Sequence, residues 1–351
     1  MYQISTMDLI KSLKKLNKEY LFFAPVETES NFQYQKFLPG SWKEKDWFFI
    51  PFRTPQPLKS FFYAPIEKIA SYPKNKNSDS NQFKRVILGP KACDLHALKI
   101  IDQVYAGKEY PDPFYVKARQ EQIIISTDCL EPNENCYCTL MNCQPYPKRD
   151  FDLNLSLTNN IYLIEIGTDR GKELLNKYFQ GLKEASDSLI LEREKNRERV
   201  QEQVQKQNQK YSYVQTHQEA IEKHLKTDIW QDLSKTCVEC GTCTQICPTC
   251  HCFLLYDQPV ENHYERIKVW DSCFFAGYSR MAGGLTPRLQ LADRFKNRFY
   301  HKFDSFVTNF GMEACTGCGR CVEGCMGKID LREVLLELEK RVILKESLDI
   351  E

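Results

Sequence analysis

The sequence predicts an α+β protein of more than one domain, with an α/β N-terminal domain followed by a mainly helical, cysteine-rich C-terminal domain. Three observations predict it. Over residues 1–187, apolar β-rich runs alternate with helical patterns. Residues 188–228 are rich in Glu, Lys, Gln and Arg and contain neither Gly nor Pro. From 229 to 351, one cysteine pattern occurs twice.

The elements follow in order. Residues 5–20 carry Leu9, Leu13, Leu16 and Tyr20 at helical spacing, which predicts an amphipathic helix. Strand-like runs follow at 20–25 and 47–52, and the polar stretch 74–82 reads as a surface loop. Three further runs, at 85–89, 122–127 and 161–167, read as strands, with a helix from Asp94 to Tyr105 between the first two. The 188–228 stretch reads as a long polar helix or helical hairpin, a solvated connector without apolar heptads. Beyond it, both cysteine runs lead into helices by pattern, and His251–Tyr256 is given to a helix as well. Asp330-Leu-Arg-Glu333 resembles a capping box with Asp at the cap, opening a helix over 334–344.

Bulk composition narrows the function. Lys+Arg 48 against Asp+Glu 47 leaves a net charge of +1, which argues against a nucleic-acid protein. No apolar run approaches the roughly 18 residues of a membrane span. The N-terminus has neither a basic region nor an apolar core of leader type. The 16 Cys are mostly two or three residues apart, too close for ordinary bridges. Metal ligation in a reducing cytoplasm fits them better than disulfides.

The cysteines carry the chemistry. Cys237-x2-Cys240-x2-Cys243-x3-Cys247-Pro248 is matched by Cys315-x2-Cys318-x2-Cys321-x3-Cys325. This spacing holds a [4Fe–4S] cube, and in two-cluster proteins the fourth Cys of each run ligates the other run's cube. One cube then takes Cys237, Cys240, Cys243 and Cys325, and the other takes Cys315, Cys318, Cys321 and Cys247. A zinc ribbon would use only four of these eight thiols. The C-terminal domain is therefore a two-[4Fe–4S] ferredoxin-like domain, with a spacer between the runs longer than in a minimal ferredoxin. Met326 stands where Pro is expected after the last Cys, which changes one backbone donor but not ligation. Cys250, Cys252 and Cys273 read as packed small side chains near the clusters.

A second set lies upstream. Cys93 follows one strand, and Cys129, Cys136, Cys138 and Cys143 lie in a loop after the next. Strand ends in α/β domains are where ligands converge. The preferred set for a third metal centre is Cys93, Cys129, Cys136 and Cys138, with Cys143 in reserve and iron–sulfur ahead of zinc. Buried, unligated thiols are the alternative. His96, at the helix start, is left out of the set as a local hydrogen-bonding residue. No GxGxxG, GxxxxGK[ST] or GxSxG is present, so the chain advertises no nicotinamide, flavin or phosphate site of its own. No acid–base pair is evident, and no catalytic residue is assigned.

The residues also resemble a family. Cys247-Pro-Thr-Cys250-His-Cys252-Phe, the segment Trp270 to Gly284, Arg298-Phe-Tyr-His301-Lys-Phe303 and Gly89-Pro-Lys-Ala-Cys93-Asp-Leu-His-Ala97 carry the likeness. So do the loop from Cys129 through Thr139 and Tyr162–Thr168 with Gly171. Together they resemble the 4Fe–4S dicluster beta subunit of soluble hydrogenases and sulfhydrogenases, a family that includes the A subunit of anaerobic sulfite reductase. The resemblance implies a cytoplasmic, non-catalytic electron-transfer subunit. Its partners would be a FAD- and NAD(P)H-binding, ferredoxin-reductase-like subunit and a terminal hydrogenase, or a sulfite, sulfur or heterodisulfide reductase. The alternative is a sulfur-species reductase subunit with a substrate-facing N-terminal cluster or thiol site. A third reading makes the clusters purely structural.

Overall fold

The computed structural model describes residues 1–29, 31–43, 50–73, 84–107 and 109–348. The expected strand at 47–52 falls partly, and the expected loop at 74–82 wholly, outside the described residues. The strands are β1 (Tyr2–Ser5), β2 (Leu21–Glu27), β3 (Phe32–Phe37), β4 (Ile66–Tyr72), β5 (Arg85–Leu88), β6 (Ile123–Thr127), β7 (Leu153–Thr158), β8 (Ile161–Ile166), β9 (Lys183–Glu184), β10 (Phe253–Val260) and β11 (His263–Trp270). The helices are α1 (Thr6–Asn17), α2 (Ala92–Tyr105), α3 (Pro113–Glu121), α4 (Asp169–Tyr178), α5 (Asp187–Gln207) and α6 (His217–His224). They continue with α7 (Ile229–Leu233), α8 (Thr242–Gln245), α9 (Leu291–Tyr300), α10 (Phe306–Phe310), α11 (Arg320–Glu323) and α12 (Leu331–Leu348).

The chain forms two compact units. The first comprises 1–63, 78–207 and 316–318, and the second comprises 64–77, 208–315 and 319–351. The first is built on one sheet of order β3-β2-β5-β6-β7-β8-β1-β9. Its centre, β2-β5-β6-β7, is parallel, and antiparallel strands flank it on both sides. Parallel strands buried on both faces need continuous apolar runs, which explains Val86-Ile87-Leu88 and Ile123-Ile124-Ile125, all buried. Leu9, Leu13 and Leu16 form the buried stripe of α1 and join Leu174 and Leu175 of α4 and the sheet in one core. Ser5 starts α1 by accepting the Asp8 N–H at 3.1 Å.

The polar helix α5 is not solvated all round, contrary to the connector reading. Arg193, Arg197, Val200 and Val204 are buried. Arg197 Nε bonds Asp128 Oδ2 at 2.8 Å with both side chains 8% exposed. Asn154 and Ser156 also bond the Asp128 carboxylate, at 2.9 and 2.7 Å. Charged residues spaced along a helix look solvated in a sequence, and here the partner carboxylate lies 69 residues away.

The second unit holds a three-stranded antiparallel sheet, β10-β11-β4, beside its helices, a sheet that the expectation of a mainly helical domain did not include. The helix expected at His251–Tyr256 is instead the start of β10, which pairs residue for residue with β11 from Phe253↔Trp270 to Val260↔His263. Two features oppose a helix there. Pro259 cannot continue one but is tolerated in an edge strand. Glu261, with φ of 48°, turns the hairpin. A full capping box opens α6: Thr216 Oγ1 takes the Glu219 N–H at 3.2 Å and Glu219 Oε2 takes the Thr216 N–H at 2.9 Å. Asp330 caps α12 through the Arg332 N–H at 2.9 Å, while Glu333 bonds Lys210 instead of completing a box.

Removing one partner of a buried ion pair leaves the other charge stranded. Arg197→Met is expected to lower stability by about 3–5 kcal/mol. A denaturant midpoint equal to that of the parent chain would refute this.

Candidate metal centres

Close backbone approach brings the two ends of the second unit's cysteine pattern together. Gly327 lies against the Thr236 carbonyl and the Cys237 Cα, where an added Cβ would overlap the carbonyl oxygen. Gly324 packs on Ile246 and Thr242, where an added Cβ would come within 2.7 Å of the Ile246 side chain. The end of the second run is thereby laid on the start of the first. Cys237, Cys240, Cys243 and Cys325 line one cavity, which Cys321, Arg298, Phe274, Phe295, Ile329 and Leu331 also wall. Gly241, with φ of 70°, makes the turn into α8, and a Cβ there would sit 2.7 Å from the Phe275 ring.

The thiols of this cavity differ in environment. Burial pushes Cys243 up to about 11, against the pull of Arg298. Cys240 is exposed and held below the ordinary thiol range. The Thr242 hydroxyl, 3.3 Å from its sulfur, is the main cause, and backbone N–H groups including that of Met326 add to it. The residue standing in place of Pro thus supplies a donor that Pro lacks. Arg298 is 5% exposed, and its Nε and Nη2 have no hydrogen-bond partner among the described residues.

Cys247 faces a different cation. Lys302 Nζ lies 3.3 Å from Cys247 Sγ, 2.8 Å from Thr249 Oγ1 and 2.9 Å from the Ala314 carbonyl. The Thr249 hydroxyl also donates to Ala314 O at 2.7 Å. The end of the first run is therefore tied to the residue preceding Cys315. Cys321 lies in the wall of the first cavity, and Cys318 belongs to the first compact unit.

In the first unit, the parallel neighbours β5 and β6 end side by side. Cys93 sits in the first turn of α2 after β5, and Cys129 opens the loop after β6. Cys93, Cys129, Cys136 and Cys138 line one cavity, and Cys318 lines it too. Gly317, with φ of 63°, rests on the Tyr137–Cys138 backbone, where a Cβ would come within 2.5 Å of Tyr137 O. Tyr137 N–H donates to Gly317 O at 2.8 Å and Arg53 Nε to Cys318 O at 2.8 Å. Burial pushes Cys129 up to about 12, against Lys91, and raises Cys138 well above its ordinary value. Lys91 is buried, with Nζ donating to the Ile50 and Asp128 carbonyls at 2.8 Å each. Cys143 does not line this cavity. It packs with Ala92, Cys138 and Val204, with Sγ 3.6 Å from Gln144 O. His96 is not in the lining either.

Cys273 is buried, as a packed residue would be. A hydrogen bond from Cys273 draws the Cys252 thiol below its ordinary range, with Tyr278 assisting. Among the described residues, no three His, Cys, Asp or Glu side chains converge on a single-ion position. A tetrahedral zinc holds its sulfurs about 2.3 Å from one point, whereas a cube spreads its thiolates around a wider cage.

The donor set fits iron–sulfur clusters: sulfur ligands only, apolar walls, and a buried guanidinium whose charge needs an anion. The comparisons agree. Residues 236–329 match the family model of a 4Fe-4S dicluster domain. The protein is therefore an iron–sulfur, electron-transfer protein with two [4Fe–4S] clusters. The chain is also 29% identical over 296 residues to sulfhydrogenase 2 subunit beta of Pyrococcus furiosus, covering 83% of this chain and 85% of that one. Both likenesses agree with the resemblance to the hydrogenase beta-subunit family read from the sequence. No helix among the described residues is long and apolar enough to cross a membrane.

Gly327→Ala should push Cys325 out of the first cavity because the obstacle is backbone, not a movable side chain. The expected outcome is a loss of about four irons per chain, read by iron assay and visible absorption. Full iron content would refute it.

Proposed function

We propose that this chain is the electron-relay subunit of a hydrogenase-like complex, passing single electrons between a FAD- and NAD(P)H-binding partner and a terminal hydrogenase, or a sulfite, sulfur or heterodisulfide reductase. The observation that carries the reading is the thiol cage of Cys237, Cys240, Cys243 and Cys325, with its apolar walls and buried guanidinium. In this reading Cys237, Cys240, Cys243 and Cys325 hold one cube, and Cys315, Cys318, Cys321 and Cys247 hold the other. When bound, the cubes supply one-electron chemistry at potentials set by charge, hydrogen bonds and solvent exposure. The protein's part is to hold the thiolates, exclude water and aim donors at sulfur. Phe274, Phe295, Ile329 and Leu331 exclude water from the first cage. The Thr242 hydroxyl and the Met326 N–H face Cys240, and Lys302 faces Cys247.

The N-terminal cavity supports a third station on the same path. Four thiols from two strand ends face one space, and Cys318, a ligand of the second cube in this reading, stands in its wall. This placement favours relay over a substrate-facing site, since Cys93, Cys138 and Cys318 are all buried.

Iron content tests the assignment. The chain should hold about twelve irons if all three sets bind a cube and about eight if only the C-terminal sets do. Cys240→Ala should lose about four, while Cys273→Ala should keep the parent value. A loss of about four from Cys273→Ala would overturn the ligand set. Reduction of the clusters by NAD(P)H only when the flavin partner is added tests the relay itself. Turnover of polysulfide by the isolated chain with a chemical donor would overturn it.

A further inference from the structure

Helix α9 and the turn after it carry a stripe of buried cations. Arg294, Arg298 and Lys302 lie four residues apart, and all are 5% exposed or less. Buried charge is costly unless paired, so the partners of each decide what it is for. Arg294 is satisfied by protein oxygens. Its Nε donates to Phe274 O at 2.9 Å, its Nη1 to Arg288 O and Leu289 O, and its Nη2 pairs with Glu239. Arg298 and Lys302 are different. Two nitrogens of Arg298 find no hydrogen-bond partner among the described residues, and its side chain walls the first thiol cavity. Lys302 places Nζ on Cys247 Sγ at 3.3 Å. No Asp or Glu is ion-paired with either among the described residues.

The two cations share Cys247 and Cys250 but differ in the thiol that acts most strongly on each. The cysteines whose charge raises Arg298, in order of strength, are Cys243, Cys321, Cys250 and Cys247. For Lys302 they are Cys247, Cys250 and Cys315. The helix changes winding between the two. Residues His301–Ser305 form a π-turn directly after α9. Such a turn shifts the register of the residues beyond it and is frequent at functional sites.

We propose that Arg298 and Lys302 are potential-setting residues, each raising the reduction potential of one cube: Arg298 that of the Cys237, Cys240, Cys243 and Cys325 cube, Lys302 that of the cube Cys247 serves. This rests on the two-cube ligand assignment above. The reasoning is electrostatic. A cube with its four thiolates is an anion, and adding an electron makes it more negative. A fixed cation in a water-poor cavity stabilises the reduced form more than the oxidised form. The step is a one-electron gain by the cube with no proton and no bond change. Neither cation needs to titrate, because both stay charged in either state.

The test is a redox titration of the intact, cluster-loaded protein, followed by electron paramagnetic resonance, on Arg298→Met and Lys302→Met. Met keeps an unbranched apolar stem, shorter than either side chain, and removes the charge. Each variant should move a different one-electron step to more negative potential, by about tenfold in the reduction equilibrium, or ~59 mV for one electron. Arg298→Lys and Lys302→Arg keep the charge and should return most of the shift, and they also serve if a Met variant fails to fold. Iron is counted in every sample. Iron at the parent value with unmoved potentials overturns the proposal. Iron already below about eight in the parent chain overturns the two-cube assignment instead. A shift that the charge-keeping variants do not reverse assigns the effect to packing and also overturns it.

Discussion

Everything in the second unit depends on Cys325 lying beside Cys237, Cys240 and Cys243. The two cysteine runs are far apart in the chain, so a ligand crossing from one to the other closes a large loop. Closing it costs chain entropy that grows only slowly with length, and metal–thiolate bonds offset such costs readily. The backbone is prepared for the crossing. Gly327 and Gly324 leave room for the second run to lie on the first, and α8 and α11 begin from glycines of matching left-handed conformation, Gly241 at φ 70° and Gly319 at φ 73°. The repeat is structural as well as sequential.

Buried positive charge is the second constraint. Lys91, Arg298 and Lys302 all stand among thiols where water is scarce. In a chain with no sulfur-bound anion, Arg298 would be a net loss of stability. Its retention makes sense only beside a negatively charged group. That logic ties local burial to cofactor, and cofactor to electron transfer, without appeal to any single motif. It also explains why the thiols are uneven, since Cys240 is exposed and donor-rich while Cys243 is buried and raised. A cage with one wet corner and one dry corner is asymmetric toward solvent, and electrons enter and leave at such edges.

Much of the site is legible in the sequence. The spacing alone suggests the proposed ligand exchange, and the proposed N-terminal thiol set lies at two strand ends, those of β5 and β6, that are parallel neighbours. The Thr216-x-x-Glu219 capping box is equally plain in the residues, although the reading of 188–228 as a connector passes over it, and the box expected at Asp330 is only half of one. The β10–β11 hairpin is not legible because Phe253-Leu-Leu-Tyr256 suits either a helix or a strand, and only pairing with β11 chooses between them. Strands β1, β3, β7 and β9 are hidden for a related reason: β1 and β9 are short, β3 lies at the sheet edge, and β7 carries polar residues buried by the Asp128 network.

The sequence by itself determined the chemistry. Thiolate spacing is a local property, and a cube demands it whatever the surrounding fold. It also marked β5 and β6 in the centre of the first sheet, because strands buried on both faces favour continuous apolar runs. Tertiary structure alone decided which cations face which thiols, that Cys318 shares a wall with Cys93 and Cys129, and that Cys143 does not. Those facts depend on contacts between residues distant in the chain. Arg197 and Asp128 make the point: nothing in either local sequence marks a buried pair, and only the folded chain removes both from water.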